Sequence, residues 1–285
     1  MPRRVGIIGL GLVGSALAER LLRAGFVVTG FDIDAARRNA LTALGGSAVD
    51  SAIAVANIGA TLVLSLPDSD IVECVLADIA PAVAAGTIIV DTTTGDPSRT
   101  TAVGEQCHGR GIHYVDATIV GSSEQVRSGA VTVLAGGERA TFDACADMFA
   151  AFARETFYLG SWGAGARMKL VVNLVLGLNR AALAEGLSFA NACGLDVTET
   201  LRVLQAGAAY SRVMDAKGRK MIDGDFTPQA RLSQHLKDVR LILATAADHG
   251  ATAPMSQLHR ELLEQVQTAG FGDADNSAII KAFDA

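Results

Sequence analysis

The sequence predicts an α/β chain in which a doubly wound, mainly parallel sheet is followed by an all-helical domain. Three observations carry that prediction. Short, uniformly apolar, β-branched runs alternate with amphipathic helical stretches over the first 160 residues, the pattern of parallel strands covered on both faces. A small-residue, glycine-rich joint, LGSWGAGA at 159–166, then interrupts the alternation. Beyond it the apolar period is helical and no convincing strand pattern recurs. At 285 residues the chain is long enough for two ordinary domains. The joint sets their expected boundaries at 1–162 and 163–285.

Taken in order, strands are expected at VGII (5–8), VVTGF (27–31), TLVLSL (61–66), TIIVD (87–91), HYVDA (113–117) and VTVLAG (131–136). LVGSALAERLLRAG and SDIVECVLADIAPAV between them read as amphipathic helices. The helix after TIIVD is signed by Asp96 as cap and Pro97 at the first helical position. In the second domain a long helix is expected from about 164 to 192, stopped by Gly194. Two more follow, one from Thr227-Pro228 to near Gly250 and one from Pro254 to near Gly270.

Composition narrows the function classes. A net charge of −6 with no basic run argues against nucleic acid as a partner. The four cysteines, Cys74, Cys107, Cys145 and Cys193, form no CxxC or Cys/His cluster, so free thiols in a reducing compartment are expected and no metal site. No signal-peptide core is visible, and no unbroken apolar stretch approaches the roughly 18 residues of a membrane span. A soluble cytoplasmic protein with no membrane partner is the expectation.

The first strand runs directly into GLGLVG, residues Gly9, Leu10, Gly11, Leu12, Val13 and Gly14, and then into a helix. In this register Gly9 permits a tight turn, Gly11 lets backbone approach a pyrophosphate, and Gly14 lets the helix pack on the strand. The helix N-terminus offers N–H groups to the phosphates. The second strand ends in Asp32, 32 − 14 = 18 residues past the last glycine, where a carboxylate meets the adenosine ribose. A Rossmann-type dinucleotide domain follows. The Asp32 carboxylate repels a 2′-phosphate and favours NAD; Arg37 and Arg38, just beyond, keep NADP open.

One further stretch is unusual: RMKLVVNLVLG (167–177) sets Lys169 and Asn173 four apart on an otherwise apolar helix. Residues at that spacing share a face, and an ammonium is costly to bury without a partner. The line therefore faces a polar cavity, or else Lys169 snorkels to solvent from the helix start.

Seven segments occur in one order: GLGLVGSALAERLLRAG, LSLPD, IVDTTTGDP, DATIVGSSEQVRSGAVTVLAGG, GAGARMKLVVN, HLKDVRLIL and GFGDADNSAI. Together they resemble, nearly end to end, the β-hydroxyacid dehydrogenase family, which includes 3-hydroxyisobutyrate dehydrogenases and tartronate semialdehyde reductases. The resemblance implies an oxidoreductase working between NAD(H) and a small 3-hydroxy acid or its semialdehyde, with a 6-phosphogluconate dehydrogenase-like helical domain. It makes Lys169 the catalytic acid/base, in a cavity where the two domains meet, and Asn173 the residue that orients substrate. It puts Lys237 beside the cofactor, Leu66 and Pro67 along it, and Thr94 against its nicotinamide half. A homodimer or homotetramer is the expected assembly. The family's substrate loop reads DAPVSGG, whereas here it reads DATIVGSS, with Val120 for the serine and Ser122 for the second glycine. Gly121, Ser122 and Ser123 are then the expected substrate-binding donors, from shifted positions. Two other readings share the architecture, an imine reductase and a catalytically silent NAD-binding module, and Lys169 argues against both.

Overall fold

A parallel sheet needs each strand to pass into a crossover that packs on one face, and the first part of the chain is built in this way. The computed structural model describes residues 3–58 and 61–283. Contacts divide the chain into two compact units, Met1–Lys169 and Leu170–Ala285. In the first unit the elements run β1 (Arg4–Ile8), α1 (Leu12–Arg23), β2 (Val27–Phe31), α2 (Ala35–Ala43), β3 (Ser47–Ala48), α3 (Ala52–Ala56), β4 (Thr61–Leu64) and α4 (Ser69–Ile79). They continue with β5 (Ile88–Asp91), α5 (Pro97–Gly109), β6 (His113–Val120), α6 (Ser123–Ser128), β7 (Val131–Gly137), α7 (Arg139–Ala144), α8 (Ala146–Phe152) and β8 (Ala153–Tyr158).

The eight strands form one sheet in the order β3-β2-β1-β4-β5-β6-β7-β8. All neighbours are parallel except β6 and β7, which pair antiparallel. Each face has its own core. Leu17 and Leu21 of α1 pack with Met148, Phe149 and Phe152 of α8 on one. Val55 of α3, Val72 and Ile79 of α4, and Val103 of α5 pack on the other. Chain order reverses between β1 and β4, and in open α/β sheets such a reversal leaves a ligand crevice at the carboxyl ends of the strands.

Helix α9 (Ala164–Ala192) follows, and the boundary between the units falls within it. The second unit continues with α10 (Val197–Ala206), α11 (Arg219–Asp223), α12 (Leu232–Asp248) and α13 (Pro254–Val266), around a core that includes Leu183, Leu187, Leu236, Val239 and Leu263. Among the described residues, α9 alone is long and apolar enough to match a membrane span. Its buried apolar residues Leu183, Ala184 and Leu187 are core positions of the second unit, and polar residues punctuate its length.

Two strands are added to the sequence expectation and one helix start is corrected. β3 is only two residues and β8 has no fully buried residue, with a burial pattern lacking any strict alternation, so neither left a period-two signal. The helix expected from Thr227-Pro228 begins instead at Leu232. Two carboxylates take the amides that a helix would have used: Thr227 N donates to Asp225, and Gln229 N and Ala230 N both donate to Asp275.

All four cysteines are free thiols, with Cys74 and Cys193 exposed and Cys107 and Cys145 buried. Burial pushes the Cys107 thiol up to about 11 and the Cys145 thiol up to about 12. Only a thiolate is nucleophilic. A disulfide reagent at pH 8 is therefore expected to titrate Cys74 and Cys193 in the native protein, and Cys107 and Cys145 only after denaturation. Four fast-reacting thiols would contradict this placement.

Candidate active site

The glycine loop between β1 and α1 is closed by contacts that admit no side chain. Gly9 sits at φ +94, and a Cβ there would lie 2.3 Å from Ser65 O. A Cβ on Gly14 would lie 1.9 Å from Gly9 O, so α1 rests directly on the turn. At Gly11 the surroundings are open, with only Arg37 Nη1 within 4 Å, at 3.8 Å. Gly11 is also the N-cap of α1, and no side chain bonds its first-turn amides. A rigid turn, open backbone and uncapped helix start fit the pyrophosphate of a dinucleotide. Leu12 is exposed at the start of α1, while Leu10 is buried and Val13 half-buried.

Asp32 lies just past the end of β2 and is buried. Its Oδ2 accepts from Leu10 N at 2.7 Å and its Oδ1 from Asp34 N at 2.9 Å, so it ties the glycine loop to β2. Arg37 Nη1 stands 3.3 Å from Oδ2, and Arg38 Nη1 donates to the backbone oxygen of Asp32 at 2.6 Å. Both arginines are thus drawn to Asp32.

At the ends of β4 and β5, the run Asp91-Thr92-Thr93-Thr94 sorts its hydroxyls. Thr92 Oγ1 donates to Leu64 O at 2.8 Å, and Thr93 Oγ1 accepts from Leu66 N at 3.2 Å. Both are buried, whereas Thr94 is half-buried. Leu66 is half-buried and Pro67 exposed at the same end of the sheet.

Lys169 is 9% exposed and its Nζ donates to Ile119 O, near the end of β6, at 2.6 Å. The ammonium is fixed inside the protein, which rules out the snorkelling alternative. The next residues form the loop into α6. Gly121 adopts φ +145, Ser122 caps α6, and Ser123 is buried. Ser122 N donates to Gln125 Oε1 at 2.8 Å while Ser122 Oγ accepts from Gln125 N. Both polar groups of Ser122 therefore serve this capping box.

In the second unit Asp238 of α12 holds two expected site residues. Asn173 Nδ2 donates to Asp238 Oδ2 at 2.8 Å, and Lys237 Nζ stands 3.1 Å from Asp238 Oδ1. The carboxylate fixes the amide so that its carbonyl is directed elsewhere.

Two features escaped the sequence. Asp116, the first residue of DATIVGSS, carries no signal of its own in the sequence, yet its Oδ1 accepts from Gly163 N at 3.0 Å and its Oδ2 from Ala166 N at 2.9 Å. It therefore caps the start of α9 from β6. Burial pushes its pKa up to about 7, opposed by those two amides. The second feature is a buried polar group of Arg180, His235 and His259. Arg180 lies eleven residues after Lys169 on α9, a helical phase that continues the line of Lys169 and Asn173. That phase was the available signal.

Comparison with known proteins agrees with this layout. Residues 4–160 match the model for the NAD binding domain of 6-phosphogluconate dehydrogenase. Residues 163–283 match the model described as NAD-binding of NADP-dependent 3-hydroxyisobutyrate dehydrogenase. The chain is 32% identical to 2-(hydroxymethyl)glutarate dehydrogenase of Eubacterium barkeri, over 99% of this chain and 95% of that protein. It is 30% identical to glyoxylate/succinic semialdehyde reductase 1 of Arabidopsis thaliana, over 98% of this chain and 97% of that one. A crystal structure of 3-hydroxyisobutyrate dehydrogenase from Salmonella typhimurium superposes with a TM-score of 0.91 at 27% identity, over 98% of this chain and 99% of that chain. With its dinucleotide loop, its lysine-bearing helix and end-to-end matches of this extent, the chain belongs to the β-hydroxyacid dehydrogenase family of NAD(P)-dependent oxidoreductases.

Proposed function

We propose that this enzyme interconverts a small 3-hydroxy acid and its semialdehyde with NAD(H), using Lys169 to move the hydroxyl proton. The observation that carries the reading is the buried Lys169 ammonium, held on Ile119 O in the same unit as the dinucleotide loop. The nicotinamide, when bound, accepts or donates the hydride. Lys169 Nζ gives a proton to the substrate carbonyl oxygen in reduction and takes the hydroxyl proton in oxidation. Its bond to Ile119 O holds Nζ near the end of β6. Asn173, held by Asp238, orients the substrate oxygen through its amide. Lys237, paired with Asp238, offers a further cation for the cofactor. Gly121, Ser122 and Ser123 supply the donors for the substrate carboxylate, Ser122 through its hydroxyl hydrogen, since its amide is bonded to Gln125 Oε1 and its oxygen accepts from Gln125 N. Thr94 and the Leu66-Pro67 backbone line the cofactor.

The substrates in the relatives' names, hydroxymethylglutarate and succinic semialdehyde, are carboxylates, which supports an acidic substrate here. The test is a spectrophotometric screen of C3 to C6 hydroxy acids and their semialdehydes with both nicotinamide cofactors. Turnover of a 3-hydroxy acid is expected. NADH binding without turnover of any of them would sink the reading.

NAD is the proposed cofactor, because Asp32 keeps a carboxylate where NADP would bring a phosphate. Asp32→Asn retains an acceptor for Leu10 N while removing the charge and releasing Arg37. The ratio of kcat/KM for NAD over NADP is expected to fall by about 10- to 100-fold, or ~1.4–2.7 kcal/mol. An unchanged ratio would assign the discrimination elsewhere. The exposed apolar residues Met168, Val171, Val175 and Phe189 of α9 support a homo-oligomer, which light scattering would detect.

A further inference from the structure

Buried polar groups are rarely left without partners, because each unmade hydrogen bond leaves a desolvation penalty. The polar line of α9 does not end at Asn173. At 3.6 residues per turn Arg180 lies within roughly 20° of Lys169 around the axis and about 16 Å further along it. Side chains on a helix lean towards its N-terminus, so the Arg180 guanidinium leans towards Asn173. Arg180 is 6% exposed, and neither its Nε nor its Nη2 has a hydrogen-bond partner among the described residues. Those two atoms form one edge of the guanidinium, the edge that receives a carboxylate with two parallel bonds.

Neighbouring charges do not fill that edge. Asp275 and Asp238 both act on Arg180 electrostatically, but each is already ion-paired with an ammonium. Lys217 Nζ lies 2.8 and 2.9 Å from the two Asp275 oxygens, and Lys237 Nζ lies 3.1 Å from Asp238 Oδ1. Burial lowers the Arg180 pKa to about 10, which leaves it cationic at neutral pH.

The surroundings are shaped around the same place. Gly177 lies three residues before Arg180, and a Cβ there would meet His235 Nε2 at 2.6 Å and His259 Cε1 at 2.6 Å. Its missing side chain lets both imidazoles reach α9, with their ring centroids 5.2 Å apart. His259 is 3% exposed, and its Nε2 also has no hydrogen-bond partner among the described residues. Burial and the charge of Arg180 hold His259 neutral, down to about 4. Two open guanidinium donors beside a neutral imidazole would be satisfied by one planar anion with two oxygens.

We propose that Arg180 is the receptor for a single carboxylate group, bound along its Nε/Nη2 edge with His259 beside it. The group has two sources: the second carboxylate of a dicarboxylic hydroxy acid substrate, or a free small carboxylate. The first source rests on the hydroxy-acid function proposed above and narrows its substrate class to dicarboxylates.

The site can be tested first without turnover. Wild-type enzyme is titrated with sodium formate at constant ionic strength, following heat uptake and Tm, beside Arg180→Met and Arg180→Lys. A saturable response in wild type that is lost in both variants is expected. Arg180→Lys keeps the charge but not the two-donor edge, and the wild-type titration stands even if Arg180→Met fails to fold. Kinetics then separate the sources, comparing kcat/KM for a dicarboxylic and a monocarboxylic hydroxy acid of equal chain length. For a substrate carboxylate, Arg180→Lys lowers the dicarboxylate-to-monocarboxylate ratio by about 10- to 100-fold, and formate competes with the dicarboxylate. A free carboxylate instead leaves that ratio unmoved while the formate response remains. An Arg180-dependent formate response with no turnover of any hydroxy acid would keep the receptor and remove the hydroxy-acid reading. No saturable formate response in wild type, with the substrate ratio unmoved in Arg180→Lys, would overturn the proposal and leave ordered water as the partner of these atoms.

Discussion

Lys169→Ala is expected to lower kcat/KM for the hydroxy acid by about 10²- to 10⁴-fold, the range for removal of a general acid/base. Affinity for NADH should stay within a few-fold of wild type, because the glycine loop and Asp32 hold their positions through their own contacts. Gly9 and Gly14 pack on backbone, and Asp32 bonds Leu10 N and Asp34 N. The truncation also leaves Ile119 O, near the end of β6, without its 2.6 Å donor. Some of the loss is therefore positional, and Lys169→Arg separates the two effects. Arginine keeps a donor and a charge but does not deprotonate in the working range. If proton transfer dominates, Lys169→Arg is as inactive as Lys169→Ala. Wild-type rates in either variant would reassign the proton carrier.

Asp116→Ala is expected to be the most destabilising single change in the neighbourhood of the site. The carboxylate serves two backbone donors at the start of α9, Gly163 N and Ala166 N. Its removal strands both in a buried place, at about 1–3 kcal/mol each. A lowering of Tm by roughly 5–15 °C is expected in calorimetry. Activity should fall further than stability requires, because Lys169 stands three residues beyond Ala166 and inherits any displacement of the first turn. Asp116→Asn keeps one acceptor oxygen and places an NH₂ against the other amide, so it should fall between wild type and Asp116→Ala. An Asp116→Ala protein with unchanged Tm would show that the start of α9 is held by other contacts.

Much of the fold was legible because its signals are local. GLGLVG shows a turn that tolerates only glycine, and the structure shows why: its would-be Cβ atoms meet backbone oxygen. Long α9 was legible from its apolar period and from Gly194, which adopts φ +76 beyond its end. Strand positions were clear wherever both faces are buried, as in β1, β4 and β5. They were lost at β8, where exposure removes the pattern. The helix start misplaced at Thr227 shows a different failure. Thr-Pro is a sound local cap signal, but Asp275, 46 residues past Gln229, captured the amides of that segment.

The candidate site divides on the same principle. Residue identity and spacing along the chain were enough to single out the glycine loop, Asp32, Lys169 and Asn173. Bonding partners were not, because each is set by elements distant in sequence. Lys169 is committed to Ile119 O across 50 residues, and Asn173 to Asp238 across 65. Nothing local distinguishes Asp116 in the sequence, and its role appears only where the start of α9 rests on it. Arg180 is one charge among many in the sequence, and burial with two nitrogens unpartnered among the described residues sets it apart. Periodicity and turn chemistry report the conformation of a short stretch of backbone, so they could establish the α/β class, the dinucleotide loop and the lysine-bearing helix. Whether a buried charge is satisfied depends on what folding brings beside it, so only the assembled packing decided which of these polar groups are already bonded and which still have hydrogen bonds to make.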